Sequence, residues 1–127
     1  LDNFRHINED LGYLVGDRAL RHAVKVLRLE LGRDEPLMRV GGEEFVLILR
    51  MPLGAAWERM EHLRRQLEAK PFEPGDGLDA RPMSFSAGIA CSPQDAGQVS
   101  GLMRIADLRL NGAKQAGRNR VMARDYH

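Results

Sequence analysis

Two strand-like runs, residues 37–40 and 45–49, meet across Gly41-Gly42 and two glutamates. No other stretch limits the accessible folds as sharply. A connection this short closes an antiparallel hairpin, because parallel strands need a crossover of about a dozen residues or more. A Gly-Gly pair suits the positive φ angles of a tight turn. The periodicity on either side is helical. Phe4, Ile7 and Leu11 precede a turn through residues 12–16, and Asp17 is placed to cap a second helix with Leu20, Ala23, Val24, Leu27 and Leu31 inward. Ala56, Met60, Leu63 and Leu67 mark a third helix, with Trp57 packing beside its stripe. Val99, Leu102, Ala106, Leu110 and Ala113 mark a fourth, ending at Gly117. Residues 71–82 read as an exposed, turn-rich excursion. Phe85, Ala87, Ile89 and Cys91 alternate in a half-buried strand, and residues 119–123 form a last short one. This order predicts an α+β fold with a mostly antiparallel central sheet flanked by helices.

Its 127 residues suit one domain, residues 1–127, and a 43% hydrophobic content suffices for a core. Nineteen basic residues against 18 acidic ones argue against coating nucleic acid or membrane by bulk charge. No apolar run approaches the roughly 20 residues of a membrane span, and nothing resembles a signal peptide. A single cysteine, Cys91, excludes an internal disulfide framework and makes a cytoplasmic setting the default. The chain opens at Leu1 without Met and is read as a piece of a longer protein.

The stretch Arg39-Val40-Gly41-Gly42-Glu43-Glu44-Phe45 is the most informative for chemistry. Glycines let a backbone approach a ligand closely, and the carboxylates behind them suit a hard cation completed by substrate phosphates. The plain alternative is a hairpin tip with two solvated acids. Asn8 and Asp17 bracket a glycine-containing turn; an amide and a carboxylate together can read a purine edge, or serve merely as turn residue and helix cap. Between positions 104 and 124 six cations, Arg104, Arg109, Lys114, Arg118, Arg120 and Arg124, face only Asp107. Lys114 and Arg118 share a helix face if the helix persists, and either reach phosphates or complement a helix dipole. His6, His22, His62 and His127 show no metal-ligand spacing, and neither a P-loop nor a G-x-S-x-G elbow occurs.

Taken together these residues resemble the GGDEF family of bacterial diguanylate cyclases. Gly41-Gly42-Glu43-Glu44-Phe45 is similar to its GG(D/E)EF signature. Phe4-Arg5-His6-Ile7-Asn8 with Gly12 and Gly16-Asp17 resembles its F-K-x-I-N…G-H-x-x-G-D segment. Ser86-Ala87-Gly88-Ile89-Ala90, Ala106-Asp107, Ala113-Lys114 and Gly117-Arg118-Asn119-Arg120 follow in family order over essentially the whole chain.

The resemblance implies a core related to polymerase palms and nucleotide cyclases (ferredoxin-like), and a reaction: two GTP condense to cyclic di-GMP and two pyrophosphates across a homodimer. It implies Mg²⁺, with Mn²⁺ as a substitute, held by Glu43 and the Leu1 carbonyl. Glu43 would be, or position, the base, and Glu44 would support the metal site. Asn8 and Asp17 would bind guanine, Gly41 and Gly42 would admit the nucleotide, and Lys114 and Arg118 would hold its phosphates, with Asn3 and Phe4 adding backbone N–H donors. An upstream sensory or dimerisation domain is expected, with no nucleic-acid partner and no direct membrane contact, although the parent could be membrane-anchored. The alternative is a degenerate domain that binds GTP and regulates a neighbour without turnover.

Four departures stand out. A metal-binding Asp is expected just before Leu1, where the first strand is incomplete. Tyr13 replaces a substrate-contacting His, and Asn111 replaces a common Tyr. The product-inhibition window, usually R-x-x-D, reads Gly32-Arg33-Asp34-Glu35, so feedback through it is expected to be weak or absent.

Overall fold

The computed structural model describes residues 1–125, so His127 lies outside the described residues. It contains α1 (Phe4–Leu11), α2 (Tyr13–Glu30), β1 (Leu37–Gly41), β2 (Glu44–Leu47), α3 (Leu53–Glu68), β3 (Ser86–Gly88), α4 (Val99–Gln115) and β4 (Arg120–Met122). Contacts divide the chain into two compact units: Leu1–Leu49 with Arg65–Ser84, and Arg50–Arg64 with the chain from Phe85 onward.

In the first unit α1 and α2 pack together, burying Phe4 and Ile7 from one helix and Ala19, Leu20, Ala23, Val26 and Leu27 from the other. α2 begins at Tyr13, five residues before the expected start, with Gly12 in the capping position and Asp17 inside the helix. Asp17 is therefore not a cap. β1 and β2 form the expected antiparallel hairpin, pairing Leu37 with Leu47 and Arg39 with Phe45, with a bulge between Arg39 and Gly41. The loop is tighter than expected: Gly41 already pairs with Glu44, leaving Gly42-Glu43 at the tip. Neither Gly41 nor Gly42 adopts a positive φ, so the bulge rather than left-handed glycines shapes this turn.

The expected excursion is anchored as well as exposed. Phe72 and Pro74 are buried, Phe72 bridges Arg81, and the Arg18 guanidinium donates to the Pro74 carbonyl and lies 5.8 Å from the Phe72 ring centre.

In the second unit β3 and β4 pair in parallel, with Ser86 opposite Arg120 and Gly88 opposite Met122. The predicted mostly antiparallel central sheet is replaced, among the described residues, by two two-stranded sheets, one antiparallel and one parallel. The physical reason is the connection: β3 reaches β4 through α4, and a helical crossover returns the chain in the same direction. β3 runs hard against α4, where a Cβ on Gly88 would lie 2.1 Å from the Ala106 carbonyl oxygen. Val99, expected inward, is 75% exposed. Trp57, expected to pack beside the α3 stripe, is 39% exposed, with its indole N–H donating to the Val121 carbonyl at 3.1 Å.

α4 carries the unit's buried charge. The Arg109 guanidinium grips Asp95 in a two-pronged pair at 2.8 and 2.9 Å, donates to the Ile89 carbonyl at 2.8 Å and reaches Asp125 at 3.3 Å. Counting Arg109 among surface cations therefore overstates the basic patch; it is 8% exposed and matched by carboxylates. The hydrogen bond from Arg109, joined by one from the Cys91 backbone N–H, holds the Asp95 carboxyl below the usual carboxylate range. Because the folded state lowers this pKa, the pair stabilises fully above the ordinary Asp range and loses its contribution as pH falls through the folded value. Asp95→Asn should flatten that acid-side loss in thermal melts, and Asp95→Ala should lower neutral-pH stability by about 3 kcal/mol, because Arg109 stays buried without its main partner.

Candidate functional site

The residues singled out in the sequence fall on two sets of elements. In the first unit α1 and α2 meet at Gly12, and the Gly12 N–H closes on the Asn8 carbonyl at 2.9 Å. Asn8 then lies directly against Gly16. A Cβ at position 16 would sit 1.6 Å from Asn8 Oδ1, so only glycine lets the amide fit there. That oxygen is buried and has no hydrogen-bond partner. An unpaired buried acceptor costs about 1–3 kcal/mol, and such groups are rare enough to call for a reason. Asp17 follows Gly16, is exposed, and pairs with Arg21 at 3.0 Å across one helical turn. Tyr13 opens α2 at 84% exposure.

At the hairpin tip Glu43 is half-buried and Glu44 is exposed as the first residue of β2. The Leu1 backbone nitrogen donates to the Glu43 carbonyl at 2.8 Å, which brings the start of the chain beside the turn. Arg39 braces the same turn, its Nε donating to the Gly42 carbonyl at 2.8 Å. A Cβ on Gly41 or Gly42 would meet nothing within 4 Å, so the approach to the turn is open. Asn3 precedes α1 in a left-handed conformation with φ 55° and supplies no side-chain cap, leaving N–H groups at that helix end without a capping partner.

Among the described residues no three His, Cys, Asp or Glu side chains converge on a metal site. The donors at the turn are fewer and hard: the Glu43 carboxylate and the neighbouring Leu1 backbone. That set fits a hard cation whose remaining ligands come from substrate phosphates and water.

In the second unit Lys114 and Arg118 do not share a helix face, because α4 stops at Gln115. The Arg118 N–H bonds the Ala113 carbonyl at 3.0 Å and the Gly117 N–H bonds that of Lys114 at 3.3 Å, the paired pattern of a Schellman cap. Gly117 and Arg118 are both at positive φ. Arg118 is exposed and Lys114 half-buried, both at the C-terminal end of α4. Asn111 is exposed on the same helix. At the window before β1, the Glu35 carboxylate accepts from the Gly32 N–H at 2.8 Å, closing a local turn.

Two residues named in the sequence reading only as members of longer motifs acquire roles of their own here: Gly16 makes room for Asn8, and Arg39 pins the turn.

The family description "Diguanylate cyclase, GGDEF domain" matches residues 1–120. The chain is 38% identical over 125 residues to diguanylate cyclase DgcP of Pseudomonas aeruginosa, covering 95% of this chain and 18% of that protein. It is 34% identical over 118 residues to the cyclic di-GMP phosphodiesterase PdeR of Escherichia coli, covering 93% and 18%. The crystal structure of the GGDEF domain of PA1120 (YfiN or TpbB) from P. aeruginosa superposes with a TM-score of 0.87 at 27% identity, over 98% of this chain and 78% of that one. The chain thus spans less than a fifth of the length of these two full-length relatives.

Gly16→Ala separates steric from propensity effects. Alanine should favour the helix by up to about 1 kcal/mol, yet it must displace Asn8, and we expect a net loss of about 1–2 kcal/mol in urea unfolding. Adding Asn8→Ala should restore the loss. An unchanged single variant would show that the Asn8 amide swings away freely.

Proposed function

The chain belongs to the GGDEF diguanylate cyclase domain family, and from that membership we propose that it forms a single GGDEF domain that condenses two GTP into cyclic di-GMP. The observation that carries this reading is the buried, unpartnered Asn8 Oδ1 beside Asp17. An acceptor held without a donor in a glycine-cleared helix crossing suits the amino and ring N–H donors of guanine once the amide turns outward, with Asp17 taking the second donor. The open approach to Gly41-Gly42 and the uncapped start of α1 at Asn3 and Phe4 support phosphate binding nearby. Lys114 and Arg118 are proposed to hold the terminal phosphates.

The chemistry is an in-line displacement. The 3′ oxygen of one GTP forms a bond to the α-phosphorus of the other, the bond to the departing pyrophosphate breaks, and the hydroxyl proton passes to the Glu43 carboxylate. A second round closes the ring and releases the second pyrophosphate. GGDEF domains are typically metal-dependent. Bound Mg²⁺, or Mn²⁺ in its place, would neutralise phosphate charge and acidify the attacking hydroxyl. Glu43 and the Leu1 carbonyl are the residues proposed to hold it, with Glu44 supporting them. Each domain would supply one GTP, so turnover needs a homodimer. Upstream segments are proposed to bring the pair together and to carry the sensory input. No described helix is long and apolar enough to cross a membrane, and a cytoplasmic domain is proposed.

The test uses the chain extended upstream to complete its first strand, with GTP and Mg²⁺ over a protein concentration series. Cyclic di-GMP should rise faster than linearly with protein. Glu44→Gln should abolish product with an unchanged melting temperature, since the residue is exposed. Asp17→Ala should weaken GTP about tenfold more than ATP, the worth of one well-made hydrogen bond to a charged group. Equal losses for both nucleotides would remove the guanine-reading role.

A regulatory GTP-binding module is the second reading. Tyr13 in place of the usual His favours it, as does the likeness to a protein named for phosphodiesterase activity. Guanine-specific binding with no product at any protein concentration would establish it.

The Gly32–Glu35 window supports weak product feedback, since its leading Arg is absent and Glu35 already serves a backbone N–H. Calorimetry showing tight cyclic di-GMP binding that disappears with Arg33→Ala and Glu35→Ala would overturn this.

A further inference from the structure

Arg118 stands on an unusual piece of backbone. Gly117, Arg118 and Asn119 follow one another at φ 120°, 64° and 47°. Glycine takes such angles freely and asparagine tolerates them. An arginine holds one only where its surroundings leave the backbone no alternative.

Three sets of bonds supply that constraint, all within the second unit. Before the loop, the Schellman cap ties the Gly117 and Arg118 N–H groups to the end of α4. After it, Arg120 enters β4 opposite Ser86, and its Nε donates back to the Arg118 carbonyl at 3.0 Å. α3 supplies the third: Arg64 Nη1 donates to Asn119 Oδ1 at 3.2 Å. Arg64 is itself immobilised. Its Nε and Nη2 fork onto the two oxygens of Glu61 at 2.9 and 3.1 Å, and the two side chains are only 17% and 12% exposed. With those nitrogens committed to Glu61, Nη1 is left for the loop.

Arg118, by contrast, is exposed, and its guanidinium has no ion pair or hydrogen bond to a described residue. A free cation on a backbone fixed in advance loses less entropy when a phosphate binds. We propose, on the phosphate role already given to Arg118, that Arg64 acts through Asn119 as a positioning residue, presenting Arg118 to the terminal phosphates of GTP. Neither Arg64 nor Asn119 need touch the nucleotide.

Calorimetric titration tests this with the upstream-extended chain, Mg²⁺ and two ligands. One is GTP lacking its 3′ hydroxyl, which cannot react. The other is GMP, which has the guanine but not the terminal phosphates. Arg118→Ala should weaken the triphosphate about tenfold, the worth of one charge-assisted contact. Asn119→Gly accepts the left-handed backbone but offers Arg64 no acceptor. It should weaken the triphosphate about three- to tenfold and leave GMP unchanged. Arg64→Lys should do the same, because an ammonium can stay with Glu61 but cannot fork to a second partner. Added to Arg118→Ala, Asn119→Gly should bring no further loss, since its effect runs through Arg118. Melting curves verify that each variant is folded.

Unaltered triphosphate binding by Arg118→Ala would remove the phosphate role itself, and the positioning role with it. If that variant weakens binding while Asn119→Gly and Arg64→Lys do not, the positioning role alone is overturned. A parallel loss of GMP affinity, or a loss that persists beside Arg118→Ala, would also overturn it, by showing that the contact only supports the fold.

Discussion

The approach of α1 to α2 depends on a missing methyl group. Gly16 sits where any Cβ would strike Asn8 Oδ1, so the amide can occupy the helix crossing only because residue 16 is glycine. The usual cost of glycine inside a helix is about 1 kcal/mol. Here that penalty is accepted together with a buried acceptor left without a donor. Two unfavourable local choices at one spot are hard to justify by folding alone, since a larger apolar pair would pack the same crossing without either penalty. They are readily understood if a ligand supplies the missing donor.

The second unit is organised around a charge. Arg109 takes up two oxygens of Asp95, one backbone carbonyl and Asp125, so the loop after Cys91 and the segment after β4 are both held to α4. A buried ion pair of this kind is weak evidence for net stability relative to apolar packing, but removing either partner strands the other. Its contribution here is positional. It fixes which way the chain leaves β4, in a unit whose two strands are only three residues long and have few ladder bonds to do so.

Much of the architecture was legible from periodicity. The hairpin, the four helices and the last strand lie where apolar spacing puts them, because helical and strand repeats are local properties. Errors collected where one element meets another. Asp17 has the chemistry of a cap, yet α2 extends to Tyr13 because Gly12 makes the turn. Arg109 reads as one more surface cation until its partners at positions 89, 95 and 125 are seen. Lys114 and Arg118 are four apart, but a Schellman cap intervenes and removes them from a common face.

The sequence by itself determined the element types, the antiparallel turn at Gly41-Gly42-Glu43-Glu44 and the family resemblance, since all three reside in residue identity and short-range spacing. The tertiary structure alone decided that Asn8 lacks a donor, that Arg39 holds the turn and that Arg109 is buried. It also decided that β3 and β4 run parallel. Each of these depends on atoms brought together from separate elements, and a buried acceptor or ion pair acquires its energetic meaning only when water is excluded around it.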